Sequence, residues 1–129
     1  MPLTHISILK ELDSAQKHAL MEAVHQALME AFGIPEPDRN IRIRRYEADE
    51  WLLPPGKSDR YVLVEVRAFA GRSAQAKGRL YALIVENLGR LGVPAGDVFV
   101  QLAEEPRENW GIRGGQRADL VDLGYEVKV

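Results

Sequence analysis

The sequence contains an internal duplication with an offset of 59 residues. Eight positions are identical among the 38 aligned pairs that match residues 14–51 to residues 73–110. The matched residues include Ser14-Ala15-Gln16 with Ser73-Ala74-Gln75, Gly33 with Gly92, Pro35 with Pro94, Asp38 with Asp97, and Trp51 with Trp110. A repeat of this length within 129 residues predicts a single domain made of two similar units, about 1–59 and 60–129.

Each unit has the pattern of a strand, a helix and a second strand. Short apolar alternations predict strands, and apolar residues spaced by three or four predict helices. The predicted strands lie around Leu3, Ile6 and Ile8, around Ile41 and Ile43, over 61–69, over 97–103, and at the end over Tyr125, Val127 and Val129. Asp13 or Ser14 caps a helix that runs to about Phe32 with Met21, Val24 and Leu28 on one face, and Ser73 caps a second helix that runs to about Leu91.

Two tandem β-α-β units predict an α+β fold, in which a four-stranded sheet carries both helices on one face because such crossovers are right-handed. The other face of the sheet has no helix in this chain to cover it. We therefore expect an apolar sheet surface that is buried in a homotrimer.

Composition limits the function classes further. The net charge of −2 disfavours a nucleic-acid partner, and no apolar run approaches the length of a membrane span. The absence of cysteine removes disulfides and thiol chemistry, and the three histidines lack the spacing of a metal pair. We expect a cytoplasmic protein without metal or cofactor.

Pro2 is the first candidate for catalysis. Aminopeptidases generally remove Met before a small residue such as proline, and this would leave Pro2 with a free secondary amine. An α-amino group titrates near ~7.7–8.0, and burial or nearby cations lower its pKa further, so it can act as a base at neutral pH. The alternative is that Pro2 only begins a strand, where proline is tolerated.

Several motifs in the second unit are shared with a known group of enzymes. The segments Ala70-Gly71-Arg72-Ser73 and Trp110-Gly111-Ile112-Arg113-Gly114-Gly115, together with an N-terminal Met-Pro, resemble the tautomerase superfamily. Over nearly its whole length the chain is more similar to the malonate semialdehyde decarboxylase branch, through Ala31-Phe32-Gly33-Ile34-Pro35 and Asp38-Arg39. The resemblance implies a trimer with a βαβ fold and a catalytic proline in an apolar pocket.

The resemblance also implies roles for individual residues. Pro2 matches the catalytic proline, Arg72 an arginine that holds the substrate carboxylate, and Asp38 an aspartate that assists near the proline. Trp110 matches an aromatic pocket wall, and we place Ile112 and Asn40 in the same substrate-binding pocket.

The chain departs from the family pattern at two arginine positions. Ala70 stands where the decarboxylases carry a second arginine, and Asn40 or Phe99 stands where the short tautomerases carry theirs. These losses argue against a doubly charged substrate, although Arg67 or Arg113 could compensate.

Each candidate also has a structural interpretation. Asp38 and Asp97 are repeat mates and could both form turns, while Trp110 could fill the core as Trp51 would. Arg72 favours function, because its charge opposes the dipole of the helix that follows. We interpret Arg42, Arg44 and Arg45 as a solvated or intersubunit strand face.

Three functions remain open. The first is an isomerase in which Pro2 is the general base for keto–enol tautomerisation of a small 2-oxo acid, with Arg72 orienting the carboxylate. The second is a decarboxylase or hydratase of a 3-oxo acid, in which Pro2 stays protonated. The third is a non-catalytic oligomeric binding protein, which retention of Met1 would favour.

Overall fold

A computed structural model of the chain describes residues 2–129. Four strands form a mixed sheet in the order β2-β1-β3-β4. The strands are β1 (Leu3–Ile8), β2 (Ile41–Arg45), β3 (Val62–Phe69) and β4 (Val98–Glu105). β1 is parallel to β2 and antiparallel to β3, and β3 is parallel to β4. The prediction of two β-α-β units joined into one sheet is confirmed.

Both helices begin at the caps that the sequence indicates. α1 (Ser14–Phe32) starts with a capping box, in which the Asp13 carboxylate accepts from the Gln16 N–H at 2.8 Å and the Gln16 amide oxygen accepts from the Asp13 N–H at 3.0 Å. α2 (Ala74–Gly89) is capped by the Ser73 hydroxyl, which accepts from the Ala76 N–H at 3.1 Å. α2 ends two residues before the predicted Leu91, because the chain turns there toward the left-handed Gly92, with φ of +92°.

The core lies between the two helices and one face of the sheet. It is formed by apolar side chains that are at most 4 % exposed, among them Ile6, Ile8, Leu20, Val24, Leu28, Phe32, Val62, Val64, Val66, Leu80, Ile84 and Leu88. Val24, Leu28 and Phe32 were predicted on one face of α1, and the fourth residue, Met21, is half-buried against the same core. Both helices therefore cover the same face of the sheet.

The uncovered face of the sheet is less apolar than we expected. The residues that pair across the middle of this face are, in strand order, Arg42, His5, Glu65 and Gln101. In a neighbouring row of paired residues, Leu63 lies beside Phe99. Phe99 is 54 % exposed. The expectation of an apolar surface is thus wrong for most of this face, which carries ionic groups beside a small apolar patch.

The C-terminal segment, residues 121–129, is not the strand that its alternation predicts. Within residues 2–129 the additional strands are the short pair β5 (Gly111–Ile112) and β6 (Gln116–Arg117). The segment instead crosses the turn between β3 and α2, where the Ser73 hydroxyl donates to the Val129 carbonyl at 2.8 Å. The alternation correctly predicts which side chains face inward, because Val127 is buried and Tyr125 is half-buried. The segment does not form a strand, because the turn that it crosses offers no free strand edge to pair with.

Neither α1 nor α2, in the chain from Pro2 onward, is long and apolar enough to cross a membrane.

Candidate active site

Strand directions bring the distant candidate residues to one edge of the sheet. β1 and β2 start at this edge, and β3 ends there, since Thr4 pairs with Ile41 and Leu3 with Arg67. The Thr4 N–H also donates to the Asn40 carbonyl at 3.0 Å. Pro2, which is buried, therefore lies at the same edge as the segment before β2 and the turn that follows β3.

Arg72 is buried in the turn between β3 and α2, with 6 % of its surface exposed. Its Nη1 donates to the Phe69 carbonyl at 3.0 Å, and its guanidinium carbon lies 4.6 Å from the centroid of the Phe32 ring. Burial lowers the pKa of Arg72, while Tyr125, Glu104 and Asp38 act in the opposite direction. Arginine nevertheless remains protonated in proteins, so the turn holds a buried positive charge.

The Nε and Nη2 groups of Arg72 face no hydrogen-bond acceptor of normal geometry among residues 2–129, although both are shielded from solvent. These two N–H groups form one edge of the planar guanidinium, which matches the two oxygens of a carboxylate. A buried donor without an acceptor is costly, and its presence in a folded chain calls for an explanation. Binding of an anionic ligand is one.

Tyr125 lies near both Arg72 and Asp38, and the charges of both residues act on its hydroxyl. Burial raises the pKa of the Tyr125 hydroxyl, the Asp38 charge raises it further, and the Arg72 charge opposes both effects. The hydroxyl is therefore protonated at neutral pH.

Sequence analysis missed Tyr125 as a site residue. It placed this tyrosine in a terminal strand, 53 positions from Arg72 and 87 from Asp38. The alternation of the C-terminal segment could have identified the side chain as inward-facing, but no local pattern gives the residues it meets. The contact depends on the path of the segment over the β3–α2 turn.

Asp38 and its repeat mate Asp97 have different surroundings. Asp38 is half-buried and interacts with Tyr125 and, through its charge, with Arg72. The Asp97 carboxylate accepts from the Ser58 N–H at 3.2 Å and from the Ser58 hydroxyl, and these bonds lower the pKa of Asp97. Asp97 thus fixes a turn, whereas Asp38 belongs to a charged cluster.

Trp110 and its repeat mate Trp51 also differ. Trp110 meets the Phe69 ring edge to face, with centroids 5.0 Å apart, and its buried indole N–H has no acceptor in the described part of the chain. Trp51 lies between Tyr46 and Tyr61, with centroid distances of 5.6 Å and 5.5 Å. Trp51 is therefore enclosed by aromatic rings, whereas Trp110 adds an indole N–H to the neighbourhood of Arg72.

The wall around Arg72 is apolar. Phe69, Ala118 and Val127 form a small buried cluster, and Trp110, Ile112 and Tyr125 are among the partly buried side chains that pack against it. The structure thus brings Arg72, Asp38, Trp110 and Ile112 into one neighbourhood, with Tyr125 at its centre.

Asn40, and the arginines other than Arg72, lie outside the neighbourhood of Arg72. Asn40 lines a cavity of about 300 Å³ between α1 and the start of β2, with His18, Glu22, His25 and Arg39 among its neighbours. Arg67 is exposed on the open sheet face opposite Leu3, and Arg113 donates to the Asp122 carbonyl at 3.0 Å. Arg45 donates to the Leu9 carbonyl at 2.9 Å, away from the face that carries Arg42 and Arg44.

No cluster of histidine, aspartate and glutamate that could hold a metal ion occurs within residues 2–129. The candidate site contains a proline, a buried cation, a carboxylate, a phenol and an indole.

The fold and this cluster define a class of protein. It is a duplicated β-α-β protein in which a proline, an arginine and an aspartate are gathered at one edge of the sheet.

Comparison with known sequences identifies the family. Two family models of tautomerase enzymes match the chain, one over residues 38–113 and the other over residues 2–59. The chain belongs to the tautomerase family.

Individual relatives agree with this assignment. "Probable tautomerase YusQ" of Bacillus subtilis (strain 168) is 27% identical over 95% of this chain and 100% of its own length. A malonate semialdehyde decarboxylase is 29% identical to this chain, over 92% of this chain and 99% of its own, and its structure gives a TM-score of 0.84. That protein was solved as wild type, as a mutant with alanine for its first proline and in inactivated form. A fused 4-OT symmetric trimer is 26% identical with a TM-score of 0.79, over 91% and 96% of the two chains.

Proposed function

We propose that this protein catalyses the keto–enol tautomerisation of a small 2-oxo acid, with Pro2 as the general base. The observation that carries this proposal is the buried Pro2 at the same sheet edge as the buried guanidinium of Arg72, whose Nε and Nη2 groups have no acceptor within residues 2–129. Removal of Met1 makes the Pro2 nitrogen a secondary amine. A neutral amine takes a proton from the carbon beside the carbonyl and returns it at another atom.

The other residues of the site bind and shield the substrate in this proposal. Arg72 accepts the substrate carboxylate on its Nε and Nη2 edge, because two parallel N–H groups fit two carboxylate oxygens. Trp110 and Ile112 form an apolar wall that excludes water and keeps the Pro2 amine neutral.

Access to Arg72 requires a local movement in this proposal. Its Nε and Nη2 atoms are shielded from solvent, and the C-terminal segment passes over the turn that carries them. A polar cavity of about 490 Å³ flanks this segment and is lined by residues such as Ala70, Tyr125 and Val127. A small displacement of the segment into this space would admit a carboxylate.

A second candidate function is decarboxylation or hydration of a 3-oxo acid. It is favoured by Asp38, whose carboxylate lies in the Arg72 cluster and would stabilise a protonated Pro2. The similar malonate semialdehyde decarboxylase is described as having decarboxylase and hydratase activities. Ala70 counts against this candidate, because an arginine that would hold a second charge is replaced there.

We also propose that the protein is a homotrimer. The uncovered sheet face offers ionic groups for pairing between subunits, and the apolar patch of Leu63 and Phe99 gives it a region to bury. The fused 4-OT relative is described as a trimer. Light scattering that gives a monomer at micromolar concentration would contradict this proposal.

The test of function begins with intact mass. A mass short by one methionine shows that Pro2 carries a free amine, and full length favours the non-catalytic binding protein. The processed protein is then assayed with the enol of a 2-oxo acid, by loss of its absorbance, and with a 3-oxo acid, by release of carbon dioxide.

Nitrogen-15 NMR of labelled Pro2 separates the two enzyme functions, because the base of a tautomerase is neutral at pH 7 and the acid of a decarboxylase is charged. Turnover of neither substrate class would refute both enzyme proposals.

A further inference from the structure

A further cavity lies at the edge of the sheet opposite Pro2. It has a volume of about 350 Å³ and is bounded by the end of β1, the start of β3, the first turns of α1 and the turn that follows α2. We call it the Leu20 cavity, and its size and apolar lining are typical of a small-molecule site. Five of its lining side chains are apolar or aromatic and at most 8 % exposed, namely Ile8, Leu20, Tyr61, Val62 and Val93.

The aligned residues of the two repeats show why space remains at this edge. Leu91 lines the Leu20 cavity and aligns with Phe32, whose fully buried ring lies 4.6 Å from the guanidinium carbon of Arg72. Leu91 is 47 % exposed, so it does not fill the space that its mate fills at the other edge. The mate of Arg72 is Asp13, whose carboxylate is used in the cap of α1. The two large side chains that pack together near Pro2 thus have no equivalent here.

The mouth of the Leu20 cavity carries two cations and one carboxylate. Arg60 is held there, because its Nη1 donates to the Gly92 carbonyl at 2.7 Å, and its guanidinium makes no other hydrogen bond within residues 2–129. The Lys10 ammonium lies 3.9 Å from the Asp59 carboxylate, at the limit of an ion pair. Lys10, Arg60 and Asp59 together leave one positive charge unbalanced, and this charge complements a ligand with a single negative charge.

We propose that the Leu20 cavity is a second ligand site, which binds a small monocarboxylate with a branched aliphatic or aromatic body. The body packs against the buried side chains of the lining and removes apolar surface from water. The carboxylate meets the Arg60 guanidinium, whose planar N–H groups fit its two oxygens, and Lys10 adds a second cation. One charged group at the mouth of an apolar cavity orients such a ligand with its carboxylate outward.

This site is proposed for binding and not for catalysis. Tyr61 aligns with Pro2, but its nitrogen is a backbone amide that donates to the Ser58 carbonyl at 3.2 Å. A backbone amide donates a hydrogen bond and has no free amine that could take a proton. The inference therefore goes beyond the proposed function and does not depend on the reaction at Pro2.

Methyl NMR of isoleucine, leucine and valine tests the inference by titration with 3-phenylpropionate and with 4-methylpentanoate. We expect the methyl signals of Leu20, Val62 and Val93 to shift with a Kd of about 1 mM or tighter, as is usual for ligands of this size. The titration is repeated with Arg72→Gln, because a carboxylate also fits Arg72. The shifts in the Leu20 cavity should be the same in both proteins.

Two comparisons test the charge at the mouth. Arg60→Gln should weaken the binding of both acids about tenfold, whereas Arg42→Gln, on the open face of the sheet, should not change it. The neutral 3-phenylpropanamide should bind about tenfold more weakly than 3-phenylpropionate.

A cavity-filling variant tests the location. Ala19 lines the Leu20 cavity, so Ala19→Leu should reduce its volume and abolish binding. Ala15→Leu is the matched control, because Ala15 is exposed on the same helix and outside the lining. Circular dichroism confirms that each variant is folded before its titration is interpreted.

Three results would overturn the inference. The first is an absence of shifts at Leu20, Val62 and Val93 up to the solubility limit of both acids. The second is a set of shifts that disappears in Arg72→Gln, which would place the ligand at the edge of Pro2. The third is equal affinity for the acid and its amide in the wild type, which would remove the role of Arg60 and Lys10.

Discussion

Arg72 offers the sharpest test of the site, because its free hydrogen-bonding capacity can be read from its contacts. Nη1 donates to the Phe69 carbonyl, and the Nε and Nη2 groups have no acceptor within residues 2–129. Arg72→Gln removes the charge and the two parallel donors. Hydrogen bonds to charged groups contribute about 1.5–3 kcal/mol, which corresponds to a loss of about 10- to 150-fold in kcat/KM for a carboxylate substrate.

The matched control is Arg42→Gln. Arg42 is exposed on the open face of the sheet, in the row with His5 and Glu65, and its replacement should change kcat/KM by less than about twofold. Melting temperature and light scattering are measured for both variants, so that a loss of folding or assembly is not mistaken for a loss of binding. If Arg42→Gln loses more activity than Arg72→Gln, the substrate site lies elsewhere on the chain.

Four further predictions concern other parts of the structure. Pro2→Ala in the processed protein should reduce turnover, whereas a preparation that retains Met1 should have none and an unchanged melting temperature. Ala70→Arg should improve kcat/KM for dicarboxylates relative to monocarboxylates, because it adds a cation beside Arg72. Phe99→Glu should weaken the oligomer in light scattering, whereas Leu52→Glu, on a fully exposed side chain, should not. Ser58→Ala, which removes the hydroxyl that donates to Asp97, should lower the melting temperature at pH 7 but not once the pH has fallen below the folded pKa of Asp97.

The sign of the Ser58 prediction follows from the carboxylate that it binds. The two hydrogen bonds from Ser58 lower the pKa of Asp97 in the folded chain below its unfolded value. The bond from the hydroxyl, which Ser58→Ala removes while the backbone N–H bond stays, therefore adds stability above the unfolded value of ~3.9, and this contribution disappears as the pH falls through the folded pKa. Equal pH dependence of the melting temperature in Ser58→Ala and wild type would contradict this explanation.

Most of the fold could be predicted from the sequence because the duplication, the helix caps and the apolar spacings agree with one another. Asp13 and Ser73 mark helix starts through their own side chains, and Gly33 marks a helix end at a φ of +67°. Such features depend on neighbours within four residues. The C-terminal segment was predicted wrongly as a strand, since alternation reports which side faces inward and not what the backbone bonds to.

The site could be predicted only where a motif marks it. Arg72, Asp38 and Trp110 were found as fragments of family motifs, whereas Tyr125 carries no motif and meets them through the path of the C-terminal segment. The character of the open sheet face was missed for a related reason. Arg42, His5 and Glu65 form one row because of the register between the strands. Register depends on how strands pair, so the sequence of one strand does not predict it.

The duplication shows how equivalent positions at the two edges of the sheet come to have different surroundings. Arg72 aligns with Asp13, so the second helix takes its cap from Ser73, one position later than the first helix. A cation at the aligned position gains nothing from the helix dipole, which favours negative charge there.

At the opposite edge, Tyr61 aligns with Pro2, and its ring packs against Trp51. Asp97 is fixed by Ser58 where Asp38 meets Tyr125 and Arg72. Asp13 caps a helix and Trp51 packs between two tyrosine rings, whereas their mates Arg72 and Trp110 have buried N–H groups without an acceptor within residues 2–129. The two edges share a backbone plan, and in the proposed function the side chains at the edge of Pro2 and Arg72 serve the binding of an anion instead of local stability.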